Sequence, residues 1–194
     1  MRREQLLDRL RSTPRWDVLV IGGGPAGSTV APMLADKGHR VVMLEKAHHP
    51  RFHIGESLLP ANLPLFERMG IAAEVKAIGM LKPGAEFVSP NHDMSSVFCF
   101  AEAWDKSMPY AYQVRRDQFD TVLIRNAAKK GVEVHEGCKA KAVEFLPDNT
   151  VLVRAVHDDG SESEWHARFL VDASGRDTFL ANRFQIKHRN PKHN

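Results

Sequence analysis

Residues 17–27 read Asp-Val-Leu-Val-Ile-Gly-Gly-Gly-Pro-Ala-Gly, and the fold follows from how this stretch is taken. Up to Ile21 it is a short, β-branched apolar run ended by glycine, the pattern of a parallel strand buried on both faces. Its second half sets Gly22, Gly24 and Gly27 in the spacing Gly-x-Gly-x-x-Gly. Residues 25–38 read as a helix with Gly38 at its end, and Pro32 in the middle predicts a kink or a weakened turn. Residues 39–46, His-Arg-Val-Val-Met-Leu-Glu-Lys, supply a second strand. Strand, glycine turn, helix and strand together predict a βαβ unit in an α/β protein of Rossmann-like type.

That context gives each glycine a task. Gly22 allows the tight turn, Gly24 lets a pyrophosphate approach the backbone, and Gly27 lets helix and strand pack closely. The helix N-terminus, entered through Ala26, offers free N–H groups and a partial positive charge to an anion. Glu45 ends the second strand roughly twenty residues on, where a carboxylate accepts ribose hydroxyls and repels a 2′-phosphate. Lys46 follows it and joins the candidate cofactor residues. FAD and NAD both suit such a loop, which does not choose between them.

The chain has 194 residues, 43% of them hydrophobic and 26% charged, so a domain that buries roughly 70% of its unfolded surface is expected. A net charge of +3 without a long Lys/Arg run argues against a nucleic-acid partner. No segment approaches the ~20 apolar residues of a membrane span, and the first residues lack the apolar run of a signal peptide. Cys99 and Cys138 are far apart, lack metal spacing, and read as buried or half-buried apolar side chains in a reducing cytoplasm. His48, His49 and His53 have no second ligand cluster, so no metal is expected.

Leu6, Leu7 and Leu10 predict a short helix in an extension over residues 1–15. Further helices are predicted over 61–70 and 116–131, the latter with Phe119, Val122, Leu123 and Ala127 on its apolar face. Strands are predicted over 84–89, 95–104 and 132–137. A small antiparallel meander is expected around 140–145, 151–156 and 164–167, and a final parallel strand over 168–172. These elements suggest a nucleotide-binding domain over 16–180, partial substrate-domain strands at about 84–113, and a basic tail over 181–194.

Six stretches carry a family resemblance: VLVIGGGPAGSTVA (18–31), RVVMLEK (40–46), PRFHIGESLLP (50–60), KPGAEF (82–87), YQVRRDQFD (112–120) and FLVDASGR (169–176). They resemble the FAD-dependent two-dinucleotide-binding flavoproteins of the aromatic hydroxylase and geranylgeranyl reductase type, and within these the flavin-dependent halogenases. The glycine loop is shared by many families, whereas RFHIGESLLP is far more specific. The resemblance implies that Arg51 and the backbone from Ile54 to Ser57 contact FAD, with Gly55 permitting close approach. It implies polar contacts near the flavin and the halide path for Glu56 and Ser57. Arg116 would meet the ribityl or phosphate portion, and Asp172 and Gly175 would lie near the cofactor. Other readings of the same residues stand: Ser57 as a helix cap before Pro60, Arg116 as a surface charge, and Asp172 as a turn acceptor for backbone N–H groups.

Lys82 matches the halogenase lysine that precedes a similar strand. In that family halide is oxidised at reduced FAD to hypohalous acid, which the lysine holds by hydrogen bond or takes up as a haloamine. A solvated loop lysine is the competing reading. The resemblance also implies an electron-rich small-molecule substrate and a separate flavin reductase. Family members continue past the last residue here, with a further pyrophosphate-binding segment and a Trp-x-Trp-x-Ile-Pro motif absent from this chain. An N-terminal part is therefore expected, truncated before its substrate domain is complete, with the remaining half supplied elsewhere. Three functional readings follow: halogenase or halogenase-like monooxygenase, geranylgeranyl-type reductase, and non-catalytic dinucleotide-binding fragment.

Overall fold

The computed structural model describes residues 15–188, 190 and 192, so the helix expected around Leu6, Leu7 and Leu10 lies outside the described residues. The chain divides into two compact units, one running to His48 and resuming at Ala127, the other spanning His49–Asn126. In chain order the elements are β1 (Trp16–Ile21), α1 (Gly27–Ala35), β2 (Val41–Leu44), α2 (Leu63–Met69), α3 (Ala72–Ile78), β3 (Met80–Lys82), β4 (Gly84–Val88), β5 (Ser95–Cys99) and β6 (Ala111–Gln113). There follow α4 (Arg116–Lys129), β7 (Glu133–His135), β8 (Cys138–Phe145), β9 (Val151–His157), β10 (Glu162–Asp172) and α5 (Phe179–Arg183).

The first unit is built on a six-stranded sheet ordered β7-β2-β1-β10-β9-β8. β1 lies parallel between β2 and β10, β7 extends the parallel part, and β9 and β8 are antiparallel. β1 and β2 are apolar at every position but one because both their faces are covered. Leu19, Ile21, Val42 and Leu44 join Val143, Val151 and Val153 in the core of one face. α1 packs against β1 and β2. Each fully buried Val or Leu there contributes about 1.5–3 kcal/mol. α1 runs unbroken through Pro32, although proline denies the Ser28 carbonyl its helical donor.

The last strand of the meander and the final parallel strand, expected as separate pieces, are one strand, β10. β10 pairs antiparallel with β9 in its first half and parallel with β1 in its second. Ala167 marks the changeover, facing Val151 on one side and Trp16 on the other, and is wholly buried. The exposed residues Arg168 and Phe169 interrupt the apolar pattern, which is why the sequence suggests a break.

The second unit packs Leu58, Phe66, Met69, Ile71, Val75, Tyr112, Val114, Phe119 and Leu123 into its own core. β6 pairs antiparallel with β3, and β4 with β5 as a separate hairpin. Residues 84–113 all fall inside this unit. The strand expected over 95–104 stops at Cys99 and gives way to a 3-10 turn, Phe100–Glu102. Cys99 is exposed, against expectation, because every residue of β5 is exposed; Cys138 is buried as expected. α2 ends at Gly70, whose φ of +74° suits glycine. Among the described residues no helix is long and apolar enough to cross a membrane.

Candidate functional site

In the first unit the glycine turn is held from two sides. A Cβ on Gly22, which has φ +103°, would lie 2.5 Å from the Ala173 carbonyl oxygen at the end of β10. A Cβ on Gly27 would lie 1.9 Å from the Gly22 carbonyl oxygen. Only glycine lets strand, turn and helix come this close. The Gly24 carbonyl accepts the Ser28 N–H at 2.9 Å, and the Ser28 hydroxyl donates to the Gly23 carbonyl. At the N-cap, Ala26, no side chain caps α1, and its first turn holds no acidic residue. The helix dipole is therefore left for an external anion, which fits a pyrophosphate.

Glu45 is buried, and its carboxylate does local work that spacing does not reveal. Oε2 accepts the Gly23 N–H at 2.6 Å and Oε1 accepts the Ala47 N–H at 2.9 Å, tying the end of β2 to the glycine turn. Each oxygen keeps a second lone pair, so ribose hydroxyls still have acceptors there. Lys46 pairs with Asp177, whose carboxyl is held below its ordinary value by the lysine's hydrogen bond and charge. Asp172 accepts the Ser174 N–H at 3.0 Å and the Leu180 N–H at 2.8 Å. Burial pushes its carboxyl up, but the hydrogen bonds from Ser174 and Leu180 outweigh this and leave it below the ordinary value. The turn-acceptor reading of Asp172 thus has its partners. Gly175, at φ +64°, opens the 3-10 turn that follows.

In the second unit the Arg-Phe-His-Ile-Gly-Glu-Ser loop is fastened by Arg116 and Leu58. Arg116, nearly buried, donates through Nε and Nη2 to both oxygens of Asp120, at 2.8 and 2.9 Å. Its Nη1 donates to the carbonyls of Ile54 at 2.7 Å and Gly55 at 3.3 Å. A surface-charge reading of Arg116 is therefore wrong, and most of its donors are spent inside the protein. Gly55 sits at φ +97°, in the left-handed region. Asp120, wholly buried, escaped the sequence reading; its i, i+4 spacing from Arg116 on a predicted helix was the available signal. Arg51 reaches the same carboxylate at 3.7 Å, and its Nε is buried without a hydrogen-bond partner. Arg51, Phe52, His53, Glu56, Arg115 and Arg116 line a cleft of about 310 Å³. Asp117 lines it too and pairs with Arg115, as Asp120 does with Arg116, so the orphaned Arg51 N–H is the donor left for a phosphate or hydroxyl oxygen of a dinucleotide.

Residues 56–58 run antiparallel beside β6. The Glu56 carbonyl accepts the Val114 N–H and the Leu58 N–H donates to the Tyr112 carbonyl, both at 2.9 Å, with Ser57 bridged to Gln113. Ser57 caps no helix, because the turn at Pro60–Asn62 has Leu59 as its N-cap and no side-chain cap. Lys82 is not a loop residue before a strand but the last residue of β3, paired with Ala111. Its Nζ donates to Ser57 Oγ at 2.5 Å and lies 5.4 Å from the centre of the Phe100 ring. His48 pairs with Asp158 and His53 with the Ile54 carbonyl. Among the described residues no group of His, Cys, Asp and Glu could hold a metal ion.

A glycine turn between a buried strand and an uncapped helix, on a mostly parallel sheet with an acidic second strand end, defines a dinucleotide-binding fold. The chain belongs to the FAD binding domain family, whose pattern matches residues 15–193. A flavin-dependent halogenase of Armillaria mellea, armH3, is 39% identical over 89% of this chain and 34% of its own length. The structure of the myxobacterial chondrochloren halogenase CndH is 42% identical with a TM-score of 0.78, covering 84% of this chain and 38% of that one. That of a flavoprotein/dehydrogenase from Cytophaga hutchinsonii is 33% identical with a TM-score of 0.83, covering 90% and 43%. The chain thus spans about a third of the length of the curated relatives it matches.

Proposed function

We propose that this chain is the cofactor-binding portion of a flavin-dependent halogenase that acts on an aromatic or other electron-rich small molecule, with reduced FAD delivered by a separate flavin reductase. The observation that carries the reading is the meeting of Lys82 with the Gly-Glu-Ser segment beside β6, in a chain similar along most of its length to named halogenases. When bound, FAD supplies the redox chemistry with oxygen that oxidises halide. The protein's part is binding and direction. The Gly22–Gly24–Gly27 turn and the N-terminus of α1 receive the pyrophosphate, and Glu45 accepts the ribose hydroxyls. In the second unit, Arg51 offers its orphaned Nε to a phosphate or hydroxyl oxygen, beside the backbone at Ile54 and Gly55. Arg116 holds that loop in shape. Lys82 takes the hypohalous acid, either donating a hydrogen bond to it as ammonium or, as free amine, forming an N–halogen bond while the O–halogen bond breaks and water leaves with the amine proton.

The test separates halogen transfer from flavin oxidation. In the full-length protein, Lys82→Ala is expected to abolish chlorinated or brominated product, read by mass, while reduced FAD is reoxidised at a near-normal rate, read by absorbance. Lys82→Arg is expected to fail as well if a free amine is required, since arginine stays charged. Halogenation undiminished in Lys82→Ala would sink the role of Lys82, whereas an unaltered protein that reoxidises reduced FAD and yields no halogenated product would move it to the second reading, a flavoprotein dehydrogenase or reductase, which the Cytophaga hutchinsonii structure favours.

A further inference from the structure

Two residues that no sequence spacing connects share one face of a narrow ribbon. β6 has β3 on one side and residues 56–58 on the other. Lys82 stands opposite Ala111 and Ser57 opposite Gln113. Ala111 and Gln113 are two apart on one strand, so they point to the same face, and so do the residues paired with them. Ser57 and Lys82 are thus on one side of the ribbon, two strand spacings apart and offset by two residues along it, roughly 12 Å on the diagonal. The lysine stem and the serine side chain close that span together, and Nζ arrives at Ser57 Oγ at 2.5 Å.

Both ends of the contact are fixed. Ser57 cannot slide, because its neighbours are bonded to Val114 and Tyr112 and Leu58 is buried in the core. Phe100, the aromatic ring 5.4 Å from Nζ, is anchored by its own N–H donating to the Pro83 carbonyl at 2.9 Å. The amine therefore meets one hydroxyl and one ring face, and among the described residues no carboxylate pairs with it. The chemistry of that choice matters. A carboxylate would hold the lysine as ammonium. A hydroxyl accepts from the ammonium and donates to the free amine, so it keeps its hydrogen bond in both protonation states.

We infer that Ser57 is a positioning residue for Lys82: its hydroxyl fixes Nζ at one place while leaving the amine able to lose its proton. This rests on the halogenase reading of Lys82 and adds to it a residue that acts only through the lysine. Ser57 caps no helix, its backbone is held by strand pairing whatever its side chain, and its hydroxyl is spent on Lys82.

The first arm of the test needs no turnover. The 194-residue chain is labelled with a limiting amount of acetic anhydride, and the modification of Lys82 is read by peptide mass against the exposed Lys106. Ser57→Ala releases Nζ from its hydrogen bond and leaves it free to meet the reagent, so the Lys82-to-Lys106 ratio should rise about threefold, and Ser57→Thr, which keeps the hydroxyl, should restore the original ratio. The second arm is halogenation by the full-length protein. Ser57→Ala should lower product formation about tenfold, with substrate KM and reduced-FAD reoxidation unchanged, and Ser57→Thr should recover most of it. An unchanged labelling ratio in Ser57→Ala, or a threonine variant that behaves as alanine does, overturns the inference. Normal halogenation by Ser57→Ala beside an inactive Lys82→Ala overturns the positioning role alone. Normal halogenation by Lys82→Ala overturns the reading beneath it, and the positioning role with it.

Discussion

Asp120→Ala is the substitution that asks most of the second unit. Arg116 and Asp120 sit one turn apart on α4, with side chains 9% and 0% exposed, and meet through two hydrogen bonds of 2.8 and 2.9 Å. Arg51 adds a second guanidinium 3.7 Å from the same carboxylate. Alanine would leave two cations without their shared anion. Removing one partner of a buried pair costs about 3–5 kcal/mol. The Ile54 and Gly55 carbonyls still serve Arg116, and Arg51 is 20% exposed, so the lower figure, about 3 kcal/mol, is expected. For a chain of this size that is a fall of about 6–12 °C in Tm. Urea denaturation followed by tryptophan fluorescence gives the energy, and calorimetry gives the Tm. The double variant Arg116→Met/Asp120→Leu removes both charges of the pair and should regain most of the loss. It also unclamps the loop, so limited proteolysis between residues 52 and 55 should quicken although stability has returned. A loss under about 1 kcal/mol for Asp120→Ala, or a double variant no more stable than the single, would refute the assignment of this pair as the loop's anchor.

Gly27→Ala places a methyl carbon 1.9 Å from a backbone oxygen that cannot move freely; a loss of about 3 kcal/mol or more and a collapse of FAD affinity are expected, read by thermal melting and flavin fluorescence, and wild-type affinity would contradict the close packing. Asp172 has a folded pKa depressed below its ordinary 3.8, so its stabilisation is present above that pH and is lost as pH falls through the folded value. Asp172→Asn should therefore cost about 1 kcal/mol at neutral pH, with the difference shrinking below about pH 4. A difference that stays constant from pH 7 to 3 would deny the carboxylate its role.

The glycine turn and its two strands were legible because strand, turn and helix are local in sequence and each glycine is demanded by a backbone approach. The helix over 116–129 was legible for the same reason, through its apolar face. Glu45 and Arg116 also bind their own chain. The Gly23 N–H and the Ile54 and Gly55 carbonyls are backbone groups of distant loops, which spacing cannot reveal, whereas Asp120 lies one helical turn from Arg116 and was within reach of it. β3 and β6 are three residues each, too short to show a period, and only their pairing makes strands of them. The sequence consequently leaves a solvated loop lysine as a competing reading of Lys82, and its contact with Ser57, 25 positions away, leaves no trace there. The continuity of β10 was hidden because one strand changes partner direction midway.

The neighbours of β1 are supplied at very different times during synthesis. β2 follows within a few dozen residues, but the partner of Ile21 on the other side is Asp172, about 150 positions later. At roughly 5–20 residues per second the ribosome takes some 8–30 s to deliver it. Throughout that interval the strand that leads into the cofactor turn has one edge bare, and the Ala173 carbonyl that crowds Gly22 does not yet exist. The nascent glycine turn is therefore unformed until nearly the whole of this chain has emerged, and an apolar strand waits with an open edge. Closure of that edge waits on β10, and until then the exposed edge of β1 is the place where a chaperone, or another nascent copy, would find it.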